Sequence, residues 1–247
     1  LNERPANQII QEKLAVLDLG QINIQLTGEK GMILRLKDLD EKTHQEIINK
    51  IGRQDLEEKR FESIGPIIGQ ELKSKALWAI ILALIAIGLY IAWAFRKVSK
   101  PIASWQYGLA ALIALFHDVF IPLGLFAFLG RFYGAEIDLA FVAAILTILG
   151  YSINDTIVVF DRTRENLLRT HWTDFKETVN QSINQSMARC INTTLTTLLA
   201  LLAIFFFGGQ TIRYFALTLI VGIFLGAYSS IFIASPLIVV WEKWKRR

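Results

Sequence analysis

The chain has 247 residues, 53% of them hydrophobic and 19% charged, with a formal net charge of +4. Soluble domains average about 45–50% apolar and about 25% charged residues, and the apolar excess here lies in runs, with no charge between Ala76 and Phe95. These figures exclude an ordinary soluble enzyme, a disordered chain and a disulfide-stapled module, because Cys190 is the single cysteine.

Residues 1–75 are polar and mixed. Ile22, Ile24 and Leu26 alternate with Asn23 and Gln25; Met32, Leu34 and Leu36 alternate with Arg35 and Lys37. With a turn-like Thr27–Gly31 between them, the pattern predicts a hairpin with one buried face. Asp40 is placed to cap a helix running to Ile51, which Gly52 ends. A further strand is expected over 56–64. The whole reads as a small α+β domain, marginal by itself because fewer than about 80 residues bury little core. The sequence begins at Leu1 with no basic n-region or cleavage site, so a partial or processed chain is the expectation.

Five long apolar runs follow, at about 76–95, 106–129, 138–160, 188–207 and 214–241. A bilayer core takes roughly 20 helical residues, and each run supplies that. The fold class is a polytopic α-helical membrane protein, with a membrane domain over 76–247. Trp78, Trp93, Trp105, Trp241 and Trp244 stand near the run ends, as interfacial anchors do. Arg96, Lys97 and Lys100 follow the first run; Arg162, Arg164, Arg169 and Lys176 follow the third; Lys243, Lys245, Arg246 and Arg247 follow the fifth. The opposite loops hold only Arg131 and Arg213. The positive-inside rule places the basic loops and the carboxy terminus in the cytoplasm, and the amino-terminal domain outside the inner membrane. That topology explains the basic balance without a nucleic-acid partner, and implies a helix or signal upstream of Leu1.

His117 and Asp118 lie near the middle of the second run, Asn154 and Asp155 in the third. A charge at a helix centre costs roughly 2.5–3.5 kcal/mol on insertion scales, so such residues face protein, water or a counter-charge. Pro122 leaves the Asp118 carbonyl without its helical donor. At about 100° per residue, Thr147, Tyr151, Asn154, Asp155, Asp161 and Arg162 form one polar stripe. Arg189, Asn192, Thr193, Thr196 and Thr197 share a face of the fourth helix. The largely apolar stretch from Ile191 to Phe207 is only 17 residues long, which draws Arg189 to the inner boundary, at a depth where it could meet Asp155. Asp155, Arg189, Asn154 and Asp118 are the candidate proton-coupling residues; Tyr151, Asn192, Thr193, Thr196 and Thr197 form the structural stripe. Gly222, Gly226, Ser230 and Ala234 recur every four residues, a close-packing face for a helix of this chain or of a partner.

The stretch Gly150-Tyr151-Ser152-Ile153-Asn154-Asp155-Thr156-Ile157-Val158-Val159-Phe160-Asp161-Arg162-Thr163-Arg164-Glu165-Asn166 resembles the signature of the SecF family of protein-export membrane proteins. Phe116-His117-Asp118-Val119, Arg189 before a Thr-rich helix, Phe206-Phe207-Gly208-Gly209 and Ser229-Ser230 are similar to it as well. The likeness covers about 60–241 well and the amino-terminal domain loosely. It implies a member of the RND superfamily that pairs with SecD, separate or fused. Such proteins work beside the SecYEG channel and use the proton gradient to draw preproteins out. The family carries six helices with the outer domain between the first two, so five here imply that the first lies upstream. The resemblance also implies a ferredoxin-like outer domain, and roles in proton conduction for Asp155 and Arg189.

Three other classes fit parts of the pattern. A small-molecule exporter of the same superfamily needs larger outer domains than about 75 residues. An intramembrane aspartyl protease using Asp118 and Asp155 lacks a Gly-x-Gly-Asp motif before either. A passive scaffold for the channel would tolerate Asp155→Asn. The scattered His44, His117 and His171, with no phosphate-cradling glycine loop, point to no metal, nucleotide or redox cofactor and to no enzyme.

Overall fold

The computed structural model describes residues 7–17, 19, 22–27, 31–36, 39–51, 58–59, 61, 66–96, 101–133, 135, 137–169 and 174–246. The chain divides into two compact units, Leu1–Lys75 and Ala76–Arg247.

In the first unit, α1 (Asn7–Leu14) precedes a hairpin of β1 (Asn23–Thr27) and β2 (Gly31–Arg35), and α2 (Glu41–Ile51) follows. The strands are antiparallel, with Ile24 opposite Leu34 and Leu26 opposite Met32, and Ile24, Met32 and Leu34 pack on one face. Ile10, Leu14, Leu19 and Ile47 form the buried core under that face. Asp40 caps α2: its Oδ1 accepts from Thr43 N at 3.0 Å and from the Thr43 hydroxyl. These bonds, the hydroxyl's first, hold the exposed Asp40 carboxyl below its usual 3.8. α1 was not legible in the sequence, because Ile10 and Leu14 supply only one apolar i,i+4 pair over eight residues. The strand expected over 56–64 falls largely outside the described residues; Glu58, Lys59 and Phe61, which are described, are not in a strand.

α3 (Pro66–Ala94) starts ahead of the division at Ala76, and the second unit holds the rest of it with α4 (Ser104–Tyr133), α5 (Leu139–Arg169), α6 (Phe175–Phe207), α7 (Gln210–Ser229) and α8 (Ser235–Arg246). Among the described residues, five helical spans are long and apolar enough to cross a membrane, the last running through α7 and α8 over Ile212–Lys245. Leu77, Trp78, Leu82, Ile85 and Leu89 leave one face of α3 exposed, the surface a lipid-facing helix presents. α6 starts at Phe175, well before the expected 188. Its first turns are amphipathic rather than apolar: Phe175, Val179, Ser182 and Ser186 are buried while Lys176 and Glu177 are exposed, and Asp174 caps the helix through Lys176 N at 3.1 Å. α5 likewise runs past 160 to Arg169. These two extensions are joined by side chains: Arg162 Nε donates to Gln185 Oε1 at 2.8 Å, and Asn166 Nδ2 donates to Ser182 Oγ at 2.9 Å.

α7 and α8 are separated by a wide π turn, Ser230–Ala234. Pro236 explains it. Proline lacks an N–H and its ring clashes with the carbonyl four residues back, and a π turn inserts one residue to relieve that clash. The Ser235 hydroxyl then donates to Ser230 O at 2.7 Å.

Candidate functional site

The bundle is built around a close approach of α5 and α7. A methyl group added at Gly222 would lie 2.2 Å from Ile148 Cδ1, and one at Gly226 would lie 2.7 Å from Ser152 Cβ. One step further, Thr156 Oγ1 and Ser230 Oγ are hydrogen-bonded at 2.8 Å. Two columns with a period of four therefore run side by side and parallel: Ile148, Ser152, Thr156 on α5, and Gly222 and Gly226 on α7 with Ser230 at the start of the π turn. Ala234 continues the small-residue column and is fully buried. Only glycine lets the backbones come this near.

That approach brings two serines to one carboxylate of α4. Asp118 is fully buried. Its Oδ2 accepts from Ser152 Oγ at 2.5 Å and from Ser229 Oγ at 2.6 Å, and its Oδ1 lies 2.9 Å from His117 Nδ1. The His117 ring stacks on Tyr228 at 6.5 Å between centroids. Asp118 thus ties α4, α5 and α7 together, with two serine donors on one oxygen and the His117 ring nitrogen beside the other. A buried carboxylate is tolerated only when its lone pairs are met in this way.

Asp155 faces the other way, toward α6, and is 1% exposed. Thr194 Oγ1 donates to its Oδ2 at a long 3.4 Å, and the Cys190 thiol is within reach of it. Arg189 is exposed; its charge acts on Asp155, but among the described residues no salt bridge joins the two. Asn154, beside Asp155 in sequence, is exposed too. Asp118 and Asp155 therefore occupy separate buried sites, while Asn154 and Arg189 are exposed.

The polar stripe splits similarly. Tyr151 Oη donates to Thr193 O at 2.8 Å and lies 3.0 Å from Thr197 Oγ1, joining α5 to α6. Thr193, Thr196 and Thr197 return their hydroxyl protons to carbonyls of their own helix. Asn192, Thr193 and Thr196 are exposed along a helix of membrane-spanning length. Reading the sequence missed Ser152, Thr156, Thr194 and Cys190 as site residues. The first two had a signal, the i,i+4 column Ile148-Ser152-Thr156 matching the small-residue column of the last span. Thr194 and Cys190 are four apart on α6 and had none beyond nearness to Arg189.

Known proteins resemble this chain in sequence and in fold. The sequence profile of the family described as protein export membrane protein SecD/SecF, C-terminal, matches residues 43–244. The protein translocase subunit SecF of Thermobaculum terrenum is 47% identical over 222 residues, covering 88% of this chain and 69% of that protein. The SecF of a Synechocystis species is 38% identical over 240 residues, covering 96% and 74%. The crystal structure of SecDF from Thermus thermophilus, described as a translocon-associated membrane protein, superposes with a TM-score of 0.80 at 37% identity. The match covers 98% of this chain and 32% of that one, so the chain spans about a third of that protein's length. Carrying the motif at 150–166 and a matching fold, the chain belongs to the SecD/SecF C-terminal family of protein-export membrane proteins.

Proposed function

We propose that this chain is an auxiliary subunit of the Sec protein translocase, embedded in the inner membrane, which pairs with SecD and uses the proton gradient to draw preproteins away from the SecYEG channel. The observation that carries the reading is Asp155: a carboxylate 1% exposed within a membrane span, served by a thiol and one hydroxyl at 3.4 Å. Such a site offers little compensation for a full charge. Gaining a proton turns one oxygen of the group from acceptor to donor, and losing it reverses the change, which alters how α5 holds α6. A membrane potential contributes about 2.3 kcal/mol per charge per 100 mV, a modest drive for each proton.

The exposed Asn154, Arg189, Asn192, Thr193 and Thr196 support the partnership. Polar groups turned toward hydrocarbon are costly, and a second membrane protein with its own carboxylate would cover them. The small-residue face lends no support to a partner, since Gly222 and Gly226 are filled by α5. The first unit, a hairpin between two helices, is read as the extracytoplasmic domain of ferredoxin-like character, with the carboxy terminus in the cytoplasm. The closely tied donors of Asp118 favour a structural or conformational part for it.

The test is preprotein translocation into sealed vesicles, with and without an imposed proton gradient, with this chain and its partner present or depleted. Gradient-stimulated translocation that requires both is the expected result. Full stimulation without the partner would overturn the reading. Arg189→Ala is expected to leave folding of the chain unchanged and to reduce the stimulation.

A further inference from the structure

Two side chains of α6 meet the Asp155 carboxyl. Cys190 and Thr194 are four positions apart and so stand on one face of that helix. Both are buried, and both reach Asp155. The threonines of this stretch differ in what they do with their one hydroxyl proton. Thr193, Thr196 and Thr197 give theirs to carbonyls of their own helix at 2.9–3.0 Å, the ordinary habit of a helical threonine. Thr194 gives its proton across the interface, to Asp155 Oδ2. One turn before Asp155, Tyr151 Oη donates to Thr193 O at 2.8 Å. That bond ties α5 to α6 without using Asp155.

We propose that Thr194 and Cys190 are positioning residues of the proton site, which hold the Asp155 carboxyl against α6 and set how readily it takes up a proton. The inference rests on the proton-coupled reading above and names the groups that tune it. The two donors are unequal: a hydroxyl donates well and a thiol weakly. A donor to the ionised carboxylate favours that form, because a hydrogen bond to a charged acceptor is stronger than one to a neutral acceptor. Among the described residues, the charged and titratable groups that act on Asp155 are Arg189 and the Cys190 thiol, both on α6. Gly226 and Ser230, packed on α5 at this depth from the last span, carry no charge. Asp118 on α4 sits in its own site on Ser152. Local donor strength at Thr194 and Cys190 is therefore what the chain itself can adjust around Asp155.

The test is the infrared band of the protonated Asp155 carboxyl, followed against pH with the chain and its partner in lipid vesicles. The band is assigned by its loss in Asp155→Asn. Thr194→Val keeps the shape and removes the donor. Its midpoint is expected about 1 pH unit above the parent's, toward the low end for a hydrogen bond to a charged group. Thr194→Ser restores the hydroxyl and is expected to return to the parent's midpoint. Cys190→Ser puts a stronger donor in the place of the thiol and is expected to move the midpoint the opposite way, to lower pH. A merely structural role, in which the variants only loosen the packing, does not produce shifts of opposite sign. A Thr194→Val midpoint equal to the parent's overturns the proposal, and so does a Cys190→Ser midpoint at or above the parent's. Either result decides the matter if the other variant fails to accumulate. A parent in which no titrating band is lost with Asp155→Asn would instead overturn the reading of Asp155 as the proton carrier, and the proposal with it.

Discussion

Ser229 and Asp118 stand 111 residues apart in the chain, yet the Ser229 hydroxyl donates to Asp118 Oδ2 at 2.6 Å. With Ser152 on the same oxygen at 2.5 Å, the carboxylate joins three helices. Replacing it by Ala leaves two buried hydroxyls without this acceptor. Ser229 can turn to Gly226 O at 3.2 Å, so most of the loss falls on Ser152. Asp118→Ala should therefore lose about 1–3 kcal/mol, the cost of an orphaned buried group. Asp118→Asn keeps an acceptor oxygen and should lose less. Thermal unfolding in detergent distinguishes the two.

Gly222 sets the distance between α5 and α7. Gly222→Ala drives a methyl group to 2.2 Å from Ile148 Cδ1 and should cost about 1–3 kcal/mol through overpacking. Ile148→Ala opens the space, and the double variant should recover part of that loss. Gly150→Ala is the control: nothing lies within 4 Å of the added carbon, and replacing a helical glycine should gain about 0.5–1 kcal/mol. A double-mutant cycle on unfolding free energies measures the coupling.

The cap of α2 carries a pH dependence. Asp40 is held below its usual 3.8, first by the Thr43 hydroxyl and then by the Thr43 amide. A depressed folded value means that the cap's contribution is fully present above 3.8 and is lost as pH falls through the folded value. Protection of the first α2 amides against hydrogen exchange should drop in that acid window. Thr43→Val, which removes the hydroxyl, should move the drop to higher pH. An unchanged midpoint would remove the hydroxyl from the account.

The basic-loop bias predicts that cysteines placed at Ser99 and Thr170 are reached only from the cytoplasm, and cysteines at Glu29 and Gly209 from outside. Cys190 is 1% exposed and lies beside Asp155, so it is best left in place. Labelling of position 29 only after the inner membrane is opened would reverse the orientation.

The spans were legible because a bilayer demands some 20 apolar residues in a row, a pattern that needs no knowledge of neighbours. Their ends were not. The polar turns 161–169 and 175–187 are helical because Arg162, Asn166, Ser182 and Gln185 satisfy one another across α5 and α6, and no periodicity rule sees a cross-helix bond. The hairpin followed from the alternation of Ile24, Leu26, Met32 and Leu34. Asp118 and Asp155 were conspicuous because charge is rare in a membrane. Sequence could not tell that one gathers two serines at 2.5–2.6 Å while the other has a single hydroxyl at 3.4 Å. That contrast depends on the depth of Gly226 against Ser152, a tertiary fact.

The central claim is that Asp155 carries the proton, and Asp155→Asn tests it most directly. Asn keeps the size and can still bond across helices, an interaction worth about 0.6 kcal/mol on average, but it cannot titrate. Translocation of a preprotein into sealed vesicles is measured with the variant in place of the parent, with and without an imposed proton gradient. The account predicts normal insertion and partner binding, unchanged translocation without the gradient, and no stimulation when the gradient is applied. Stimulation of Asp155→Asn equal to that of the parent would contradict it and leave the chain as a scaffold for the channel.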